Sequence, residues 1–136
     1  MTISRLAAHR RRGAARVPLP RLLGALTLAY GAAVAARPAL LTRQAGLETA
    51  VWSSPRARRV ARAIGMRDVV SGAAMVLAPA GRPLQRAVAV RVACDLGDVV
   101  GFGLGLLGAR NKAKAVGAAA GWGLLCASSW SAAGRL

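Results

Sequence analysis

Apolar and charged positions in this 136-residue chain fall into long blocks, not short periods. Four blocks of Ala, Val, Leu and Gly, at about 22–41, 60–80, 87–109 and 115–134, are separated by stretches rich in Arg, Lys, Pro and Gly. A helix of about 20 residues rises about 30 Å, the thickness of a bilayer's hydrocarbon core. The pattern therefore predicts an all-α fold: an integral membrane four-helix antiparallel bundle. Residues 1–20 precede it as a basic arm, expected to be disordered, which leaves 21–136 as the membrane domain.

The third block, Ala87 to Ala109, organises the rest, because it carries Arg91, Asp95 and Asp98. At about 100° per residue the two aspartates lie within about 40° of Arg91 around the helix, on one narrow face. A lipid-facing charge at that depth costs at least ~2.5–3.5 kcal/mol, so this face must turn toward protein or water. The second block carries Arg67 and Asp68, about half-way along its helix or, alternatively, at the interface where the span starts, and an antiparallel neighbour sets these two against Asp98 and Asp95. Arg91 is then expected nearer the opposite surface. The five residues carry a net charge of −1. An odd negative charge in low dielectric tends to hold a proton, which makes Asp95 or Asp98 a candidate titrating group. The plainer reading is that the charges pair off and specify which helix faces which.

The first block is short, and Arg37-Pro38 interrupts it before Leu40-Leu41. It reads as a retained first span; the alternative is a cleaved signal, with Ala33-x-Ala35 as the small-residue site. Between blocks one and two, Leu47, Val51 and Trp52 suit a short interfacial helix. The turn at Gly81–Arg86 and a basic loop at Arg110–Lys114 close the remaining connections. Gly97, Gly101 and Gly105 repeat every four residues, which reads as a close helix-packing seam within the bundle or between copies. With 16 Gly present, composition alone also produces such spacing.

Composition agrees with a lipid-embedded chain. Hydrophobic residues make up 55%, yet there is one Phe and one Tyr, too few for a soluble core of this size. The net charge of +16 invites a nucleic-acid reading. Its distribution argues against one, since the basic residues cluster at block ends, where anionic headgroups are met, and no aromatics are interleaved with them. The only histidine, His9, lies in the arm, and two carboxylates three residues apart are poor metal ligands, so no metal and no cofactor is expected. Cys94 and Cys126 sit in apolar blocks as small hydrophobes. Basic residues are tied between the two sides of the predicted bundle. The strongly basic arm before the first span tips both termini toward the cytoplasm.

Two patches, Gly65-Met-Arg67-Asp68-Val-Val-Ser71-Gly72 and Arg91-Val-Ala-Cys-Asp95-Leu-Gly-Asp98, form a recognisable arrangement. It resembles small four-helix membrane proteins of actinobacteria classed as domains of unknown function, and a membrane segment of proteins loosely labelled cyclase/dehydrase. The resemblance spans about Leu19 to Ala133. It implies a four-helix integral membrane protein with these five charges as one cluster, and no transferable activity.

The functional expectation is thus a small polytopic inner-membrane protein, not an enzyme, whose helices are organised by an intramembrane Arg/Asp cluster. Its partners would be the bilayer and either a second copy or another membrane protein. Two alternatives come from other classes: a subunit of a proton-coupled or small-molecule transporter, and a membrane anchor or chaperone for a partner protein.

Overall fold

The computed structural model describes residues 18–44, 54–104 and 109–135. The arm before Pro18, Trp52 and Gly105 lie outside these residues. The described chain is all-helical: α1 (Leu19–Ala36), α2 (Ala39–Gln44), α3 (Pro55–Leu77), α4 (Arg82–Leu104), α5 (Ala109–Ser128) and α6 (Trp130–Gly134).

Helix ends follow local chemistry and correct several expected boundaries. Helix α1 begins at Leu19, inside the segment assigned to the arm, because Pro20 occupies its first turn. There a missing N–H costs nothing. It stops at Ala36, since the residue before a proline is driven out of helical geometry; Arg37 has φ −130° and ψ 81°. The expected span 22–41 is therefore two helices, α1 and α2. Helix α3 starts at Pro55, five residues before its predicted block, with Ser54 accepting a hydrogen bond from the Ala57 N–H. Pro79 ends it through extended Ala78, and Gly81, at φ +86°, makes the left-handed turn into α4. Arg82 and Arg86 belong to α4, and Lys112 and Lys114 to α5 instead of a loop. The fourth span breaks at Ser129. Its hydroxyl donates to the Cys126 carbonyl at 2.7 Å and that of Ser128 to Leu125 at 2.7 Å, competing with the helical ladder.

The tightest packing is the antiparallel pair α1/α3. A Cβ at Gly72 would lie 2.5 Å from the Leu28 nitrogen and 2.6 Å from the Gly24 carbonyl oxygen. One at Gly31 would lie 2.6 Å from the Gly65 carbonyl oxygen, and one at Gly65 would lie 2.6 Å from the Ala35 nitrogen. Only glycine permits backbones this close, so Gly24 and Gly31 against Gly72 and Gly65 form the seam. Side chains from each helix also close the other's end. Arg21 donates to the carbonyls of Val76 and of Ala78, the latter at 3.0 Å, at the end of α3. Arg62 donates to the Ala35 carbonyl at 3.2 Å at the end of α1. Both satisfy carbonyls that a helix C-terminus leaves without intrahelical donors.

The predicted seam on α4 does not pack within the chain. A Cβ at Gly97 or Gly101 would meet no atom within 4 Å, because this face of α4 turns away from α3 and α5. Instead Gly123 of α5 admits Asp95, whose Cβ is 3.1 Å from where a Gly123 Cβ would be.

An apolar core of Leu23, Met75, Leu84, Ala87, Val88, Cys126 and Ala133 fills one end, where α1 and α4 begin and α3 and α5 finish. The Gly81 N–H donates to the Ala133 carbonyl at 3.1 Å and ties α6 to that end. The middle of the molecule is filled by charge.

Candidate functional site

Residues of α3 and α4 equidistant from their shared turn lie level. Asp68 is nine residues before Leu77 and Arg91 nine after Arg82, so they face each other. Arg91 donates from Nη1 to Asp68 Oδ1 at 2.6 Å and to Ser71 Oγ at 3.1 Å. Its Nε donates to Asp95 Oδ2 at 3.1 Å and its Nη2 to Asp95 Oδ1. Arg67 takes Asp98 in a two-pronged grip, Nη1 to Oδ1 at 2.8 Å and Nη2 to Oδ2 at 2.7 Å. It also donates to Asp68 Oδ1 from Nη2 at 2.9 Å. Although Asp98 is farther from the turn than Arg67, helical side chains lean toward their own N-termini. On antiparallel helices these two therefore lean toward each other.

All five charged residues predicted as a cluster are thus brought into one alternating chain, Asp98–Arg67–Asp68–Arg91–Asp95, bridged at Asp68. The predicted pairing was wrong in one respect: Asp68 faces Arg91, not Asp95, and Arg91 is the buried cation of the network, set against Asp68 at its centre. Its side chain is 2% exposed, against 32% for Arg67. The expected facing set the start of the second span level with the end of the third, whereas the shared turn at Gly81 sets Asp68 level with Arg91. Gly105 of the predicted seam lies outside the described residues, and Gly97 and Gly101 take no part in the site.

The network divides two openings. On one side, α1, α4 and α5 enclose a cavity of about 520 Å³ that reaches Asp68 and Arg91. Tyr30, Phe102 and Trp122 contribute aromatic walls. The Trp122 Nε1–H donates to Thr27 Oγ1 at 3.0 Å, and Thr27 donates in turn to the Leu23 carbonyl at 2.9 Å, which orients the indole. On the other side, α3 and α4 flank a groove of about 760 Å³ that reaches Arg67 and Ser71. Sequence reasoning missed Ser71, Thr27 and Trp122 as members of the site. For Ser71 a signal existed, since it lies one turn from Asp68 on the same helix face. Among the described residues no group of three or more His, Cys, Asp or Glu is arranged to hold a metal ion.

Such a network is chemically suited to aligning helices and to holding one net negative charge next to an apolar space. Each guanidinium is bound by two carboxylates, so loss of one carboxylate leaves both cations paired, whereas loss of Arg91 strands Asp95 and loss of Arg67 strands Asp98. Compared with known proteins, the chain matches no family model, no curated protein and no solved structure.

Proposed function

We propose that this is a small polytopic membrane protein, without catalytic activity, in which a buried Arg/Asp network aligns the helices within the bilayer. One observation carries the reading: the molecule is inside out. Its largest fully buried side chain is Arg91, while Leu22, Leu26, Met66, Val70, Val90, Leu96, Val100, Leu124 and Leu125 are exposed on the four long helices. Water-soluble chains this small do not cover themselves with large aliphatics while burying ion pairs, and lipid rewards that arrangement. Exposed arginines gather toward the ends, Arg37, Arg43, Arg56, Arg58, Arg59 and Arg62 at one and Arg82, Arg86 and Arg135 at the other. That distribution suits headgroups on both faces. By length and composition alone, α1 is the one described helix that passes as a candidate span. From Ala63 onward in α3 and from Ala87 onward in α4 the charges are those of the network, with Asp68, Arg91 and Asp95 buried and Arg67 and Asp98 partly so.

The proposal places the protein in the inner membrane with both termini cytoplasmic, an orientation supported by the strongly basic segment that precedes the first span. Alkaline carbonate extraction of membranes holding a C-terminally tagged copy tests it. Retention of the full-length chain in the pellet is the expected result; release into the supernatant refutes it.

A second reading, a small-molecule transporter subunit, is favoured by the placement of the network as a wall between two openings. Pairs α1/α3 and α4/α5 are each internally well packed, and much of what joins them is the ion chain and the Trp122–Thr27 bond. Rocking of one pair against the other would expose the network to either opening in turn.

A further inference from the structure

We propose that the 520 Å³ cavity is a binding site for a hydrophobic monovalent organic cation, such as a quaternary ammonium or phosphonium with an apolar body. The inference deepens the transport reading by naming its substrate class, but the binding itself requires only the cavity and the network.

Three observations converge. First, the chain has five aromatic residues, and three of them, Tyr30, Phe102 and Trp122, line this one cavity. They include its only Tyr and only Phe. Aromatic faces attract cations, most strongly where water is excluded, and they are the usual cage for ammonium groups too bulky to accept hydrogen bonds. Second, the cavity floor is Asp68 and Arg91. Both guanidiniums of the network are engaged by carboxylates, Arg91 with Asp68 and Asp95 and Arg67 with Asp68 and Asp98, so three carboxylates face two cations. The five residues together carry one net negative charge. The cavity meets this network at Asp68 and Arg91, while Asp95 and Asp98 do not line it, and a monovalent cation held beside Asp68 compensates the network from there. Third, the remaining walls, Leu26 and Leu41 among them, are hydrocarbon, which selects a ligand with an apolar body and rejects a hydrated metal ion. Lys114, at the rim, is exposed, so its charge is solvated and does not oppose entry strongly.

The test uses the full-length protein in phosphatidylcholine nanodiscs, with tetraphenylphosphonium as probe and tetraphenylborate, its size-matched anion, in separate equilibrium dialysis runs. Tetraphenylphosphonium should bind saturably above empty nanodiscs, at about one per chain, and tetraphenylborate should not. Phe102→Ala and Trp122→Ala should each weaken binding by about tenfold or more, the loss expected of a desolvated cation–π contact. Asp68→Asn, which makes the network formally neutral, should weaken it similarly. Because Asp68→Asn also perturbs folding and Trp122→Ala removes the bond to Thr27, Phe102→Ala keeps the test decisive. Absence of saturable phosphonium binding, equal binding of the borate, or unchanged affinity in Phe102→Ala overturns the proposal. Protein that resists carbonate extraction yet binds no probe would defeat this inference while leaving the membrane reading intact.

Discussion

Replacing Arg91 by Met removes the buried cation of the ion chain while keeping most of its aliphatic bulk. The side chain is 2% exposed and makes four hydrogen bonds, to Asp68, Ser71 and both oxygens of Asp95. Its loss strips Asp95 of its only ion pair among the described residues, while Asp68 keeps Arg67. An uncompensated buried charge of this kind costs about 3–5 kcal/mol. For a chain of this size that corresponds to a fall in unfolding temperature of roughly 10–20 °C. Asp95→Ala should cost less, about 1–3 kcal/mol, since Arg91 then retains Asp68 and Ser71 and the network becomes neutral. The double variant removes the stranded carboxylate together with its partner. It should therefore be more stable than the sum of the two losses by about 2 kcal/mol or more. Arg91→Lys keeps the charge but cannot offer the planar fork that reaches both neighbours, and should recover only part of the loss. Thermal unfolding of the four purified proteins in one detergent, followed by the loss of the monodisperse species on size exclusion, reads all of this. An Arg91→Met protein within about 2 °C of wild type, or strictly additive losses, would refute the network as the organiser of the middle of the molecule.

Four further outcomes follow from the packing and the exposed surface. Gly72→Val should destabilise strongly or prevent folding, because its Cβ would meet the Leu28 backbone at 2.5 Å. Gly97→Ala, facing open space, should be neutral or gain up to about 1 kcal/mol from helix propensity, as read by the same thermal assay. Arg21→Ala should lower stability by about 1–2 kcal/mol through the carbonyls of Val76 and Ala78 that it leaves without a donor, with Arg21→Lys recovering part. Leu96→Arg and Val70→Arg place charge on outward-facing apolar positions, 60% and 66% exposed. In a bilayer each should cost at least ~2.5–3.5 kcal/mol and reduce the membrane-integrated yield, whereas in water each would lie within about 0.5 kcal/mol of neutral. A doubly substituted protein that stays monodisperse without detergent would sink the membrane reading.

Much of the site was legible because charges inside apolar blocks are rare enough to stand out. Arg67, Asp68, Arg91, Asp95 and Asp98 were named as one set from their positions alone, and the structure brings them together. Their pairing was less legible, because it depends on the register set at the turn into α4. The start of α3 was hidden as well: the Ser54–Pro55 signal was present, but a hydropathy block conceals it under the basic run that follows. The packing seam was misplaced for a different reason. Sixteen glycines give many spacings, and the four-residue repeat at Gly97 drew attention from the seven-residue pairs Gly24/Gly31 and Gly65/Gly72. A seam belongs to two helices at once, so a repeat within one helix cannot locate it; two repeats of equal length on different helices can. The Trp122–Thr27 bond joins residues 95 positions apart and left no local trace.

In the membrane reading, the same distinction accounts for two of the long helices that are not candidate spans, α3 and α4, whereas α5 opens on its own basic residues Lys112 and Lys114. Mean hydropathy averages around a helix, but lipid meets only the outward half. In α3, Arg67 and Asp68 lower the average while Met66 and Val70, their sequence neighbours, are the residues exposed. In α4, Arg91 and Asp95 are buried while Val90 and Leu96 beside them face outward. These network charges therefore have exposed apolar residues beside them, and α3 beyond Arg62 and α4 beyond Arg86 present hydrocarbon to their surroundings. Helix α1 passes the averaged test because it contributes glycines and Thr27 to the interior instead of charge. An interior built this way is held by directional bonds that have few alternatives. That accounts for Asp68, Arg91 and Asp95 remaining buried where aliphatic side chains would cost less: Asp68 bonds to Arg91 and Arg67 to Asp98 across the two helices in a single register, and a slip of one residue along α3 would break both bonds at once.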